Sequence, residues 1–388
     1  MRRAIIVVLD GVGAGAAPDA EEYGDVGSDT LGNLAREVGG MTLPALQALG
    51  LGNATPVAGV APVASPSAAY GTMRPRSAGK DSTTGHWEIA GLVLERPFPV
   101  YPYGFPTDVI DEFERVTGRA VIGNAVGSGT EMIARFGPAH ERTGSWIVYT
   151  SADSVFQIAA HESVVPLREL YSACETARAL LSAPHDVSRV IARPFTGEAG
   201  AYHRTPNRRD FSISPPGETL LDALAAADIP RRGVGKVDDL FAGRGIASEH
   251  TANNAEGIAA IHRALEEMNG GLLLANLVDF DQRWGHRNDT AGFYEELRSF
   301  DAELPALLSH LHEDDLFFLT ADHGNDPTTP STDHSRERVP LIAYGRMVQP
   351  HALGERDTFA DLGATAAEWL RSGFRGAGRS FLQPLLDR

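Results

Sequence analysis

Three groupings of acids and imidazoles in this sequence could do metal chemistry. Asp322-His323-Gly324-Asn325-Asp326 is followed, twelve positions after Asp322, by His334 within Thr332-Asp333-His334. Asp281-Gln282-Arg283-Trp284-Gly285-His286 sets a second Asp and His five positions apart, and Asp10 adds a third carboxylate. Any one of them alone reads as a helix cap or a packed histidine. Together, three carboxylates would repel one another unless cations lay between them. Oxygen and imidazole donors without a thiolate suit Mn²⁺, Zn²⁺ or Mg²⁺, and their number permits two ions.

A further segment supplies hydroxyls: Lys80-Asp81-Ser82-Thr83-Thr84-Gly85-His86-Trp87-Glu88. Structurally, the hydroxyl run would cap a helix with Glu88 nearby. Chemically, a hydroxyl on a bound metal loses its proton more easily and becomes a nucleophile at neutral pH. Two cations could then hold the attacking and leaving oxygens of an in-line phosphoryl transfer.

For these groups to act together, the chain must deliver them to one place. Residues 4–9 stop at Asp10, 272–280 at Asp281 and 316–321 at Asp322. Each run is continuously apolar rather than alternating, the pattern of a strand buried on both faces. Residues 339–344 form a fourth strand, in which Pro340 marks a strand start or an edge. Helical patterns cover 254–268 and 289–310, with Pro305 a kink or break in the second. Strands alternating with helices predict an α/β fold: a mostly parallel sheet covered by helices on both faces, with ligands at the carboxyl ends of its strands. Between the Pro-rich stretches 96–102 and 212–217 the texture changes, with strands at 145–150 and 190–195 and a helix near 165–181. We read residues 1–97 and 215–388 as one discontinuous metal-binding catalytic core, and 98–214 as an inserted, smaller α/β cap domain.

Composition narrows the partners. The 388 residues carry 34 Lys and Arg against 51 Asp and Glu, a net charge of −17. Such a chain repels phosphate backbones and anionic lipid, so neither nucleic acid nor a membrane is the expected partner. A small anionic substrate remains open if bound cations reverse the local sign. Cys174 is the only cysteine, which excludes an intrachain disulfide, a thiolate zinc cluster and a dithiol redox pair. The apolar run 4–9 is too short for a signal-peptide core or a membrane span, so a cytoplasmic location is expected.

Three motifs are decoys. Gly11-Val12-Gly13-Ala14-Gly15-Ala16, with Asp29 beyond, matches a dinucleotide fingerprint, but Pro18, Gly24 and Gly27 interrupt the helix it needs, so a Gly-rich turn is preferred. Gly79-Lys80 lacks the Ser/Thr of a phosphate loop, since Asp81 stands there, and Arg74 occupies the earlier glycine position. His161-Glu162 lacks the second His of a zinc-protease helix because Val165 sits there.

Asp10, the segment from Lys80 to Glu88, Asn276-Leu277-Val278-Asp279-Phe280-Asp281 with Gly285-His286, and Ala321-Asp322-His323-Gly324-Asn325-Asp326-Pro327 with Thr332-Asp333-His334 resemble the phosphopentomutases of the alkaline phosphatase superfamily. The resemblance spans nearly the whole chain, including Thr150-Ser151-Ala152-Asp153-Ser154-Val155 and Arg193-Pro194-Phe195. It implies an alkaline-phosphatase-like core holding two Mn²⁺. One ion would be held by Asp10, Asp322, His323 and the nucleophile, the other by Asp281, His286 and His334. Asp279 and Asp281 could share one strand face, and the resemblance selects Asp281. The family's nucleophile is commonly a threonine directly after the aspartate; here that position is Ser82, which offers the same oxygen, with Thr83 and Thr84 as alternatives.

The implied reaction interconverts ribose 1-phosphate, or 2-deoxyribose 1-phosphate, with the corresponding 5-phosphate. It would proceed through a phosphoenzyme and a 1,5-bisphosphate, with a sugar bisphosphate as activator. The phosphate not being transferred needs cations away from the metals, and Arg189, Arg193, Arg204 and Lys236 are candidates. Asp153 could accept hydrogen bonds from sugar hydroxyls. The nearest rival is cofactor-independent phosphoglycerate mutase, followed by a phosphatase or phosphodiesterase; its longer chain and different nucleophile segment weigh against it. From a different class, the rival is a noncatalytic metal- or phosphosugar-binding protein.

Overall fold

The computed structural model describes residues 1–151 and 153–387; Ala152, in the motif quoted above, lies outside the described residues. Two compact units are present, one formed by residues 1–97 and 215–388 and the other by 98–214. In chain order the first unit contributes β1 (Arg3–Leu9) and β2 (Ala69–Met73). The second contains β3 (Val121–Val126), β4 (Trp146–Thr150), β5 (Val155–His161), β6 (Arg189–Thr196), β7 (His203–Arg204) and β8 (Arg209–Ser212). The first then resumes with β9 (Arg231–Val234), β10 (Ser248–Glu249), β11 (Gly271–Leu277), β12 (Asp315–Thr320), β13 (Val339–Tyr344) and β14 (Ala352–Arg356).

The first unit is built on one sheet in the order β10-β9-β11-β1-β12-β13-β2-β14. β1, β11 and β12 form its centre. Every residue in these strands is buried, which is why their sequences run apolar without alternation. β1 lies parallel to both neighbours, Leu9 opposite Leu277 and Val8 opposite Thr320. The helix Asn254–Glu267 packs on β9 and β11, and Ala360–Leu370 packs on β1. Among the described residues no helix is long and apolar enough to cross a membrane.

Two local expectations need correction, and two alternatives are narrowed. The strand expected over 272–280 ends at Leu277, and Asp281 sits in the helical turn Phe280–Trp284 that follows. Asp279 already has helical backbone angles, so it and Asp281 share no strand face. Pro340 is not on an edge strand: β13 is interior, antiparallel to both β12 and β2. It sits near the strand start, before pairing with β12 is reached at Ile342, where a missing N–H is tolerated. The helix Thr290–Ser309 runs unbroken through Pro305, held by the buried side chains of Leu304 and Leu307 on either side.

The reversal of β13 has a positional effect. Because β12 and β13 are antiparallel, the connection over 321–338 starts and finishes at the same sheet edge, where β1 and β11 also end. Paired backbone bonds between Gly324 and Ser335 fold this connection back on itself, which sets His334 beside His323 with ring centroids 4.0 Å apart.

At the opposite end of the strands, Arg3 is 2 % exposed and donates to both carboxylate oxygens of Asp315, and to the carbonyls of Met268 and His310. Removing one partner strands a buried charge, so Asp315→Ala is expected to cost about 3–5 kcal/mol. Urea denaturation checks this; a midpoint within error of wild type at unchanged slope would refute it.

The second unit carries a six-stranded sheet, β3-β4-β5-β6-β7 with β8 also on β6. Alternate residues face opposite ways. Trp146 and Val148 join a cluster with Ile110, Phe113, Leu170 and Cys174. Ile147 and Tyr149 join another with Met132 and Ile133. Helices Thr107–Thr117 and Leu167–Leu180 supply the first cluster and Gly129–Thr143 the second, so both faces are covered.

Candidate metal centre and nucleophile

The helix Ser82–Ile89 opens on Asp81, whose carboxylate accepts from the Thr84 amide at 3.0 Å and the Thr84 hydroxyl at 2.6 Å. The cap is thus the aspartate rather than the hydroxyl run, and Thr84 Oγ1 is already engaged. Glu88, at the far end, accepts from the amides of Arg76, Ser77 and Phe359 and from Thr358 Oγ1. Ser82, on the first helical residue, places Oγ 3.1 Å from His323 Nε2.

Asp10 and Asp322 follow the ends of β1 and β12, and Asp281 lies in the turn after β11. All three are nearly sealed from solvent. Each has one oxygen fixed by a neighbour. Asn276 Nδ2 donates to Asp10 Oδ2 at 2.7 Å, the Gly11 amide to Asp322 Oδ1 at 3.2 Å, and Asn325 Nδ2 to Asp281 Oδ1 at 2.7 Å. Asp10 Oδ1 is left buried with no hydrogen-bond partner, and Asp322 Oδ2 has only the His86 ring close by, its Nδ1 3.1 Å away.

The imidazoles are oriented in the complementary way. His323 Nδ1 lies 3.1 Å from the Gly324 carbonyl and His286 Nδ1 lies 2.6 Å from that of Thr332. A carbonyl can only accept, so both Nδ1 atoms carry the proton and each neutral ring presents an Nε2 lone pair. Those lone pairs face carboxylate oxygens: His323 Nε2 is 3.2 Å from Asp10 Oδ1 and 3.6 Å from Asp322 Oδ2, and His286 Nε2 is 3.1 Å from Asp281 Oδ2. His334 Nε2, buried and without a hydrogen bond, is 3.3 Å from Asp281 Oδ1. With both partners deprotonated, lone pairs aimed at one another in a buried space are repulsive unless cations lie between them, so this donor set fits divalent metal.

Without an ion, protons relieve the same crowding. Burial and the Asp322 charge push the Asp10 carboxyl above its ordinary range. Burial opposes charge on His323, yet Asp322 and Asp10 hold it well above the usual histidine range. Burial likewise opposes charge on Asp281, while His334 and His286 hold it well below the usual carboxylate range. At this site two groups of three donors lie close enough to share an ion: Asp281, His286 and His334, and Asp10, Asp281 and His323. Asp281 belongs to both.

Asp279 faces elsewhere, accepting from the Asn254 amide at 3.0 Å and returning its own amide to Asn254 Oδ1. The Gly-rich segment after Asp10 enters turns rather than a helix, and Asp29 caps the helix Thr30–Glu37. Lys236 is exposed just past β9, at the carboxyl edge of the same sheet. The other candidates lie in the second unit. Arg189 is 3.7 Å from Asp210, which Arg208 also binds. Arg193 donates to Gln157, and burial together with the nearby Arg208 charge lowers its pKa. Arg204 on β7 and Asp153 in the bend after β4 are exposed.

Sequence reasoning assigned no role to Asn276, Asn325 and His86. Asn276 left a signal, as a lone amide inside the apolar strand β11. Asn325 is read only from where its amide lands, and His86 only from its ring.

A model of the Metalloenzyme superfamily matches residues 2–372. The chain is 54 % identical to the phosphopentomutase of Desulfitobacterium hafniense (strain DSM 10664 / DCB-2), covering 100 % of both. It is 55 % identical to that of Dictyoglomus turgidum, covering 99 % of this chain and 98 % of the relative. Among solved structures, the PH0037 protein from Pyrococcus horikoshii shares the fold at a TM-score of 0.52 and 15 % identity, covering 96 % of this chain and 98 % of that one.

Proposed function

Because this chain belongs to the phosphopentomutases, isomerases within the alkaline-phosphatase-like Metalloenzyme superfamily, we propose that it interconverts ribose 1-phosphate, or 2-deoxyribose 1-phosphate, with the 5-phosphate through phospho-Ser82. The carrying observation is Ser82 Oγ, 3.1 Å from His323 Nε2, which in turn lies 3.2 Å from Asp10 Oδ1, a buried oxygen with no hydrogen-bond partner. Asp10, Asp322, His323 and Ser82 would hold one divalent cation and Asp281, His286 and His334 the other, with manganese the ion implied by family. Bound there, the cations supply Lewis-acid charge that lowers the hydroxyl's pKa and offsets charge on the phosphoryl oxygens.

The protein's own part is positioning. Phospho-Ser82 sits at the amino end of its helix, where the peptide dipoles favour negative charge. Its phosphoryl group passes to the free hydroxyl of the bound sugar monophosphate. The serine O–P bond breaks, a sugar O–P bond forms and the hydroxyl's proton ends on the freed Ser82 oxygen, giving the 1,5-bisphosphate. After reorientation the other phosphate returns to Ser82. A sugar bisphosphate charges any enzyme that has lost its phosphate. Arg193, Arg204, Arg189 and Lys236 would hold the phosphate not in transfer, and Asp153 the sugar hydroxyls. The unit 98–214 would act as a cap that keeps water from the phosphoenzyme. A cytoplasmic setting suits a chain whose Cys174 is buried and free.

The test supplies purified protein with Mn²⁺, a sugar bisphosphate and ribose 5-phosphate, and couples ribose 1-phosphate to a nucleoside phosphorylase. Phosphate release without turnover would overturn the mutase reading, and turnover of 3-phosphoglycerate instead would favour the phosphoglycerate mutase chemistry. Phosphopeptide mapping should put the label on Ser82; label on Thr83 or Thr84 would reassign the nucleophile. Ser82→Thr retains the oxygen, so kcat should stay within about tenfold, about 1.4 kcal/mol in barrier. A loss of several orders of magnitude would contradict that.

A further inference from the structure

We propose that His86 is a positioning residue that holds the nucleophile Ser82 and the ligand Asp322 in fixed relation through one ring nitrogen. The inference rests on the roles just given to those two residues. His86 lies four residues after Ser82 on the same helix, so its ring folds back over the turn that carries the nucleophile. The ring is wholly buried. Nδ1 is 2.9 Å from the Ser82 carbonyl and 3.1 Å from Asp322 Oδ2. The carbonyl is an acceptor only, so Nδ1 carries the proton and presents it to both oxygens.

The helix backbone reaches Asp322 at the same point. A Cβ on Gly85 would lie 2.2 Å from the Asp322 carbonyl, so only glycine lets the helix sit that close. Asp322 Oδ1 is fixed from the other side by the Gly11 amide, and the His86 N–H is the nearest group to Oδ2 at 3.1 Å, with His323 Nε2 farther off at 3.6 Å. A residue kept for packing would explain less. His86 Nε2 is buried with no partner, a cost that Leu or Met at this position would avoid. The ring is retained at that cost for what Nδ1 does.

The experiment compares wild type with His86→Ala, His86→Asn and His86→Gln. Each is stripped of metal and titrated with Mn²⁺, the free ion being read by electron paramagnetic resonance. Mutase kcat and KM for ribose 5-phosphate are then measured, with circular dichroism to check folding. The side-chain amide of Asn can place an N–H near the Nδ1 position; that of Gln reaches toward Nε2. His86→Ala and His86→Gln should weaken Mn²⁺ binding about 10–100-fold, the usual effect of losing a partner that orients a ligand. They should lower kcat with KM within about threefold, and His86→Asn should recover most of both losses. Wild-type affinity and kcat in all three variants would overturn the proposal, as would equal defects in the Asn and Gln variants. That pair decides the matter even if His86→Ala does not fold. Wild type failing to bind Mn²⁺ or to turn over would instead sink the function proposed above.

Discussion

Ser82→Ala should lower mutase kcat by at least about 10⁴-fold, about 5.4 kcal/mol in barrier, while Mn²⁺ binding stays within about tenfold. The substitution removes one oxygen and little else. The helix keeps its cap, because Asp81 and Thr84 make that bond without the serine. Asp10, Asp322 and His323 keep their places because Asn276, Gly11 and Gly324 orient them. The variant should also take no label from a sugar bisphosphate. A protein that merely binds metal or phosphosugar would keep its function as Ser82→Ala. Turnover within tenfold of wild type would therefore defeat the phosphoserine mechanism.

Asp281→Asn should be as damaging by a different route. Asp281 is common to both groups of donors, with oxygens 3.1 Å from His286 Nε2 and 3.3 Å from His334 Nε2. Asn replaces one carboxylate oxygen with an N–H donor that can bind no cation, and Asn325 still needs an acceptor at the other. The ion held with His286 and His334 should be lost, and the other weakened with it because Asp281 also lies within reach of Asp10 and His323, with kcat falling at least about 10³-fold, about 4.1 kcal/mol. His334→Ala, by contrast, touches one group. Chelation should reproduce the Asp281→Asn phenotype in wild type, and added Mn²⁺ should restore wild type but not the variant. The measurement is metal content by mass spectrometry after dialysis against Mn²⁺. Asp281→Asn retaining as much metal as wild type would show that the carboxylate is not shared.

How much of this was legible in the sequence depended on whether the signal was local. The central strands could be read because burial on both faces leaves no alternation, and two of the three acids follow directly from where β1 and β12 end. β11 was read three residues too long, because Val278 and Phe280 are as apolar as the strand before them although the chain has already turned helical at Asp279. The direction of β13 has no local signature, yet it returns His334 to the edge where His323 sits. In the second unit, β4, β6 and the helix Leu167–Leu180 were legible. β3 was not, because Gly123 and Asn124 take left-handed angles at an irregularity in its pairing. The helix Gly129–Thr143 was hidden by Pro138. The choice among Ser82, Thr83 and Thr84 came from family resemblance; the structure adds that Thr84 Oγ1 is engaged with Asp81 and that Ser82 Oγ lies beside His323.

The position of β1 also bears on how the chain is made. It leaves the ribosome well before its partners, which begin at Gly271 and Asp315. Asp10 therefore waits for Asp281 and His323 until most of the chain has been synthesised, whereas every strand of the second sheet lies within 98–214. During that interval β1 is an unpaired apolar strand with both edges open, the kind of segment that associates with other chains when folding is slow. The metal centre is consequently a late product of folding, and neither of its groups of donors is complete before the central sheet has closed.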